Sequence, residues 1–207
     1  MTHHTALWFD LDGTLLPFPD YGEVVARACA AVGVDAVDGF RDVYDDAFFG
    51  YLYAFDPEPY RRAAADALAA VGSDADPTAF VAALRDAEYG AMPTPPAVRE
   101  ALSALAATDG VAVGVCTNGV GDWQRGKLDR AGLATYADAT VVSYEVGAHK
   151  PDPAPFERAE ALLPADRRVM FGDSREADVE GARDRGWDAV HVDGPADVPD
   201  AVDDLLG

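Results

Sequence analysis

Short apolar runs alternate with amphipathic stretches at both ends of this chain. LWF at 7–9 is apolar and stops at DLDGT, which reads as a buried strand ending in a glycine turn. VAVGVC at 111–116 is a second such run and ends at TNG. VVS at 141–143, VMF at 169–171 and AVHV at 189–192 are three further strand candidates. Between them the period changes to that of a helix. Val120, Trp123, Lys127, Leu128 and Ala131 fall at helical spacing in 120–131, as do Phe156, Ala159, Leu162 and Leu163 in 153–163. Residues 175–186 and 197–206 give two more helices. Strands alternating with helices predict an α/β fold: a Rossmann-like parallel sheet with helices on both faces and ligands at the carboxyl ends of its strands.

Residues 18–93 break that rhythm. They contain no convincing strand, and helical patterns lie near 21–32, 37–53, 58–71 and 77–89, separated by Gly, Pro and Asp. A connection between a strand and the rest of its sheet is normally a few residues long. The pattern therefore predicts a core of 1–17 and 94–207 with an inserted all-helical subdomain at 18–93. Pro17 and Pro19 bound it on one side, and Pro93, Pro95 and Pro96 on the other.

Composition narrows the classes of partner. Of 207 residues, 49% are hydrophobic, enough for a packed core. Sixteen basic residues face 37 acidic ones, a net charge of -21, which argues against nucleic acid or an anionic membrane surface as partner. The longest apolar runs fall far short of the ~20 residues of a membrane helix, and the start shows no basic region of a signal peptide. Cys29 and Cys116 make no disulfide framework, which fits a reducing cytoplasm. The acids are mostly Asp, and only Lys127 and Lys150 are lysines among the bases. That skew resembles proteins of halophiles: at ~1 M salt the Debye length is about 3 Å, and the self-repulsion of such a chain is largely screened.

The candidate chemistry sits just past the expected strands. Asp10 and Asp12 are two apart, so on an extended segment they point to one side. Two close carboxylates repel unless a positive group lies beside them, and an oxygen-loving divalent cation such as Mg²⁺ suits them. One can then attack a phosphoryl group and the other move protons. DLDGT alone reads equally as a surface turn. Thr117, Asn118 and Gly119 offer a hydroxyl, an amide and backbone N–H groups at a helix start, an anion site or simply a helix cap. Lys150, in GAHKPDP, suits a buried position between a phosphate and carboxylates, or is a solvated loop lysine. Asp173 and Asp178, in FGDSREAD, can add one metal ligand and one orienting carboxylate, with Asp173 or Ser174 as a helix cap the plainer alternative. His3 and His4 read as an exposed tail rather than a metal pair, and Cys116 as a small buried strand residue rather than a nucleophile.

Together FDLDGTL, TNG, KPDP and GDSREAD resemble the four motifs of the haloacid dehalogenase-like (HAD) hydrolase superfamily. Gln124-Arg-Gly-Lys-Leu128, Gly132-Leu133, Ser143-Tyr-Glu-Val-Gly147 and Gly181-Ala182 resemble its phosphatase branch, whose helical cap is inserted after the first motif. The resemblance implies Asp10 as nucleophile and Asp12 as general acid/base, with Thr117, Asn118 and Gly119 at the phosphoryl group. It also implies Lys150 as charge stabiliser, and Mg²⁺ held by Asp10, Asp12 (through its backbone carbonyl) and Asp173, with Asp178 behind.

It implies a Mg²⁺-dependent phosphatase of a small phosphorylated metabolite, a monomer or weak dimer. Dehalogenases of the superfamily lack the carboxylate at the position of Asp12, which favours phosphatase over dehalogenase. A phosphomutase shares the motifs. A phosphate-accepting signalling module also combines acidic residues, Thr or Ser and Lys on a parallel sheet, but a group that promotes hydrolysis, such as Asp12, works against a lasting signal. In the cap, Tyr44, Phe48, Phe49, Tyr51, Tyr53, Phe55 and Tyr60 read mostly as its own core, with Arg61 and Arg62 as candidate substrate contacts.

Overall fold

A computed structural model describes residues 3–206. The chain divides into two compact units, Met1–Phe18 with Pro93–Gly207, and Pro19–Met92. In chain order the elements are β1 (His3–Phe9), α1 (Tyr21–Ala31), α2 (Val37–Tyr53), α3 (Pro59–Ala70), α4 (Pro77–Ala91), α5 (Pro96–Ala106), β2 (Val111–Thr117) and α6 (Gly121–Ala131). They continue with β3 (Ala139–Val142), α7 (Ser143–Val146), α8 (Pro153–Leu162), β4 (Ala165–Gly172), a π-helical turn (Arg175–Glu180), α9 (Gly181–Asp184), β5 (Asp188–His191) and α10 (Val198–Leu206).

The first unit is a five-stranded parallel sheet, ordered β3-β2-β1-β4-β5, with helices on both faces. Its central strand explains the apolar run of the sequence. Ala6, Leu7, Trp8 and Phe9 are all fully buried, because both faces of a central parallel strand are covered. On one face Trp8, Cys116, Phe156, Met170 and Trp187 form a single cluster, with the Phe156 and Trp187 rings 5.5 Å apart. Gly114 on β2 leaves room for it, since a Cβ there would lie 2.4 Å from the Trp8 ring.

The chain steps outward from β1 through β2 to β3, then crosses back to β4 on the other side of β1. That reversal opens a crevice at the carboxyl ends of β1 and β4, where ligands bind in sheets of this kind. Asp10 follows β1 and Asp173 follows β4.

Several boundaries differ from the pattern. The run at 141–143 was expected to be strand throughout, but Ser143 already starts α7. Residues 175–186 are not one regular helix: a π-helical turn precedes α9, and Ser174 caps it by accepting a hydrogen bond from the Ala177 N–H at 3.1 Å. Helix α5 was not anticipated; Pro96 stands at its start, where the missing N–H costs nothing. Strand β4 begins at Ala165, and its exposed Asp166 and Arg167 hide that start from an apolar-run reading. His4 is no tail: its backbone belongs to β1, while its exposed ring lies 3.5 Å from Asp166. The His3 side chain lies outside the described residues.

The second unit is four helices, α2 packed on α3 and α1 on α4. Asp20 and Asp76 cap α1 and α4 through the N–H groups of Glu23 and Thr78. Phe40, Tyr44 and Phe80 form its aromatic centre, with the Phe40 and Phe80 rings 4.7 Å apart. Of the seven aromatics expected mostly to pack that core, Tyr44 alone is fully buried, whereas Phe49 and Tyr53 are 51% and 68% exposed. They lie four apart on α2, so one helix face carries both outward. Arg61 pairs with Glu58, and Arg62 pairs with Asp56 and covers the Tyr51 ring. No helix of the described residues is long and apolar enough to cross a membrane.

Candidate active site

Asp10 is the first residue after β1, anchored by its own N–H, which donates to the Phe171 carbonyl at 2.9 Å. The chain then turns sharply at Gly13, whose φ of +83° suits glycine, and a Cβ there would lie 2.6 Å from Asp173 Oδ2. The turn brings Thr14, fully buried, against Asp173. The Thr14 hydroxyl donates to Asp173 Oδ1 at 3.2 Å and accepts from the Asp173 N–H at 3.1 Å. Gly172 is required just before: a Cβ there would lie 2.2 Å from Asp178 Oδ2.

Lys150 is buried, not solvated. Its ammonium donates to Asp10 Oδ1 at 2.9 Å, to Asp178 Oδ1 at 2.5 Å and to the Cys116 carbonyl at 2.6 Å. Those three acceptors use all three of its N–H groups. The Asn118 amide holds the lysine in place: Nδ2 donates to the Lys150 carbonyl at 3.0 Å, and Oδ1 accepts from the Lys150 N–H at 2.8 Å. These two bonds give the Asn118 side chain a part in holding the loop beside its expected place at a phosphoryl group. The Gly119 N–H donates to Ser143 Oγ at 2.9 Å. Ser143 in turn lies 2.8 Å from His149 Nδ1. Neither Thr117 nor Asn118 caps α6; Val120 stands there, with no side-chain cap bond.

Asp12 has a second lysine. Lys127 Nζ, almost fully buried, donates to both carboxylate oxygens at 2.9 and 3.0 Å. Gln124 Nε2 donates to Asp12 Oδ2 at 2.7 Å and to Thr117 Oγ1 at 2.8 Å. Past the end of β1, Asp10 and Asp12 therefore each face their own ammonium. The sequence did carry a signal for this pair: Gln124, Lys127, Leu128 and Ala131 share the buried face of α6, where a glutamine and a lysine are out of place unless paired.

Asp10, Asp173 and Asp178 offer oxygens within 4.8 Å of one another. The Asp12 carboxylate is not in this group, so a metal would reach Asp12 only through its backbone. Among the described residues, Asp10 Oδ2 and Asp173 Oδ2 accept no hydrogen bond, while both Asp178 oxygens do, from Lys150 and from the Ser174 N–H. Burial raises the Asp10 carboxyl to about 7, with Lys150 opposing and Asp178 and Asp12 adding to the rise. Asp173 is raised by burial and by Asp178. Lys150 is pushed up by Asp10 and Asp178 against the opposite effect of burial. One ammonium thus serves three carboxylates. A hard divalent cation such as Mg²⁺ fits the remaining charge deficit and the all-oxygen donors.

The segment 4–186, which contains every one of these residues, matches the family model described as haloacid dehalogenase-like hydrolase. The chain belongs to that family. A ribulose-1,5-bisphosphate 5-phosphatase from Halopiger xanaduensis is 30% identical to this HAD-like hydrolase over 219 residues, covering 96% of this chain and 88% of that protein. A phosphoserine phosphatase from Thermus thermophilus is 43% identical over 111 residues, 51% of this chain and 44% of that protein, so the match spans less than half the length of that relative. The solved 2-haloacid dehalogenase from Pseudomonas syringae pv. Tomato DC3000 superposes with a TM-score of 0.71 at 23% identity, covering 99% of this chain and 100% of that one, and shares the fold.

Proposed function

We propose that this HAD-like hydrolase is a Mg²⁺-dependent phosphatase of a small phosphorylated metabolite. The observation that carries the reading is the division of Asp10 and Asp12 between two buried lysines, which gives the two carboxylates different work. Asp10 is the nucleophile. A carboxylate oxygen bonds to phosphorus while the bond from phosphorus to the leaving oxygen breaks, and the protonated Asp12 gives its proton to that oxygen. Asp12, now ionised, takes a proton from water as the water oxygen attacks the aspartyl-phosphate. Inorganic phosphate leaves, and Asp10 and Asp12 return to their starting forms. Thr117 Oγ1 accepts from Gln124 and donates to the Asn118 carbonyl at 3.4 Å, a long bond that a phosphoryl oxygen would replace.

Lys150 balances Asp10 and Asp178, and Asn118 and Ser143 with Gly119 shape the loop that carries it. Asp10 and Asp173 would hold Mg²⁺, with Asp178 behind and Asp12 through its carbonyl. Bound there, the cation would neutralise phosphoryl charge. The two sequence relatives described above are both named as phosphatases, which supports the reading. A haloacid substrate fits less well: a halide leaves without a proton, so a carboxylate held as Asp12 is held would have no task.

Phosphate release from phosphoglycolate, sugar phosphates, nucleoside monophosphates and an aryl phosphate, with Mg²⁺ and with chelator at molar salt, tests the reading. Mg²⁺-dependent release is expected, and Asp10→Asn should abolish it while leaving the melting curve intact. Release by Asp10→Asn at near-normal rate would sink the covalent route. Chloride release from a haloacid without phosphate release would replace the function.

A further inference from the structure

The segment Gln124–Leu128 has no task in the scheme above beyond its contacts. Its geometry points to one. An Asp12 that donates a proton to a leaving oxygen and retrieves another from water must stay in one place through both steps. Asp12 stands past the end of β1 and is one-fifth exposed, and a carboxylate side chain turns about χ1 and χ2 unless neighbours hold it. Two side chains from α6 remove that freedom. The Lys127 ammonium spans both oxygens, and the Gln124 amide binds Oδ2 from the side. The amide orientation follows from its two contacts: the NH₂ group, not the amide oxygen, faces the oxygens of Asp12 and Thr117. The same NH₂ reaches Thr117 Oγ1, which ties the proton-transfer group to the end of β2. Oδ1, with one bond against two on Oδ2, is the oxygen left open for the travelling proton.

We infer that Lys127 and Gln124 are positioning residues for Asp12, fixing its carboxyl where it meets the leaving oxygen. This rests on the phosphatase reading and goes beyond it, because it makes a three-residue unit of α6 and the turn. Neither residue touches the substrate in this role. Their contribution scales with how much the leaving group needs a proton. An alkoxide needs it; an activated phenolate leaves without it.

The test compares a sugar phosphate with 4-nitrophenyl phosphate as substrates of the full chain, with Mg²⁺ at molar salt. The variants are Lys127→Met, Lys127→Arg and Gln124→Met. In Lys127→Met, kcat on the sugar phosphate should fall by about 100-fold more than on the aryl ester, the lower end of what a general acid contributes, with KM little changed. Lys127→Arg should recover part of the loss. Gln124→Met, which keeps the ion pair, should show the same selectivity at smaller size, and it carries the test if Lys127→Met does not fold. Equal losses on both esters, or no loss in a folded variant, would overturn the positioning role while wild-type release of phosphate keeps the phosphatase reading. A wild-type protein inert towards the whole panel of esters above overturns the phosphatase reading and this role with it, and if it spares only the sugar phosphate the comparison takes the alkyl ester of the panel that it does hydrolyse.

Discussion

Cys116 sits one residue before Thr117 and is the reactive-looking group nearest the phosphate loop, yet its environment removes it from the chemistry. Burial pushes its thiol up to about 12, so no useful fraction is thiolate at neutral pH. Its contribution is the carbonyl that Lys150 binds. The shift fixes a pH dependence. In the unfolded chain a thiol ionises near 9, whereas the native thiol keeps its proton to about 12, so above pH 9 the native state binds more protons than the unfolded one. Stability from this group is present below pH 9 and is lost as pH rises towards 12. Lys150, also raised, acts in the same direction at higher pH. Thermal melts from pH 8 to 11 should therefore show a falling Tm, with a shallower fall in Cys116→Ala. Iodoacetamide at pH 8 should leave the native thiol unmodified by mass spectrometry and label it after denaturation.

At the scale of elements, the sheet was legible and the joints were not. Fully buried parallel strands are apolar on both faces, so 7–9, 111–116 and 169–171 stood out by run length alone. The helices of the second unit were legible from period and punctuation. Helix α5 hid behind the prolines that begin it, and the π-helical turn hid because its residues follow no helical period that a sequence window detects. In the site, the residue types were readable one by one, but their pairing was not. The spacing of Asp10 and Asp12 marks both as site carboxylates, but it does not say that each has its own lysine, 140 and 115 residues away. The bond between the Asn118 amide and the backbone of Lys150 was not readable, because the two lie 32 residues apart. That joint between the end of β2 and the loop before α8 is testable. Asn118→Ala strands a backbone N–H and a carbonyl at Lys150, which should cost about 1–3 kcal/mol in a denaturant melt. It should also lower kcat, because the ammonium loses its fixed approach to Asp10. Unchanged stability and rate would show that the loop holds itself.

For the whole molecule, the net charge of -21 sets both stability and access. Like charges on the surface oppose the compact state, and an anionic substrate approaches against the field. Raising KCl from about 0.1 M to about 1 M shortens the Debye length from about 10 Å to about 3 Å. Tm should rise over that range, and kcat/KM for a phosphorylated substrate should rise rather than fall. A Tm that is flat in salt would refute the charge-repulsion account. The same composition has a practical side. Both lysines of this chain lie inside the site, at 4% and 6% exposure, and the outer cations are arginines. Amine-directed reagents, from acylating dyes to the common bifunctional cross-linkers, therefore find no lysine on the folded surface. A lysine-directed label taken up over time becomes a counter of opening events, and each count marks a molecule whose Asp10 or Asp12 has lost its ammonium.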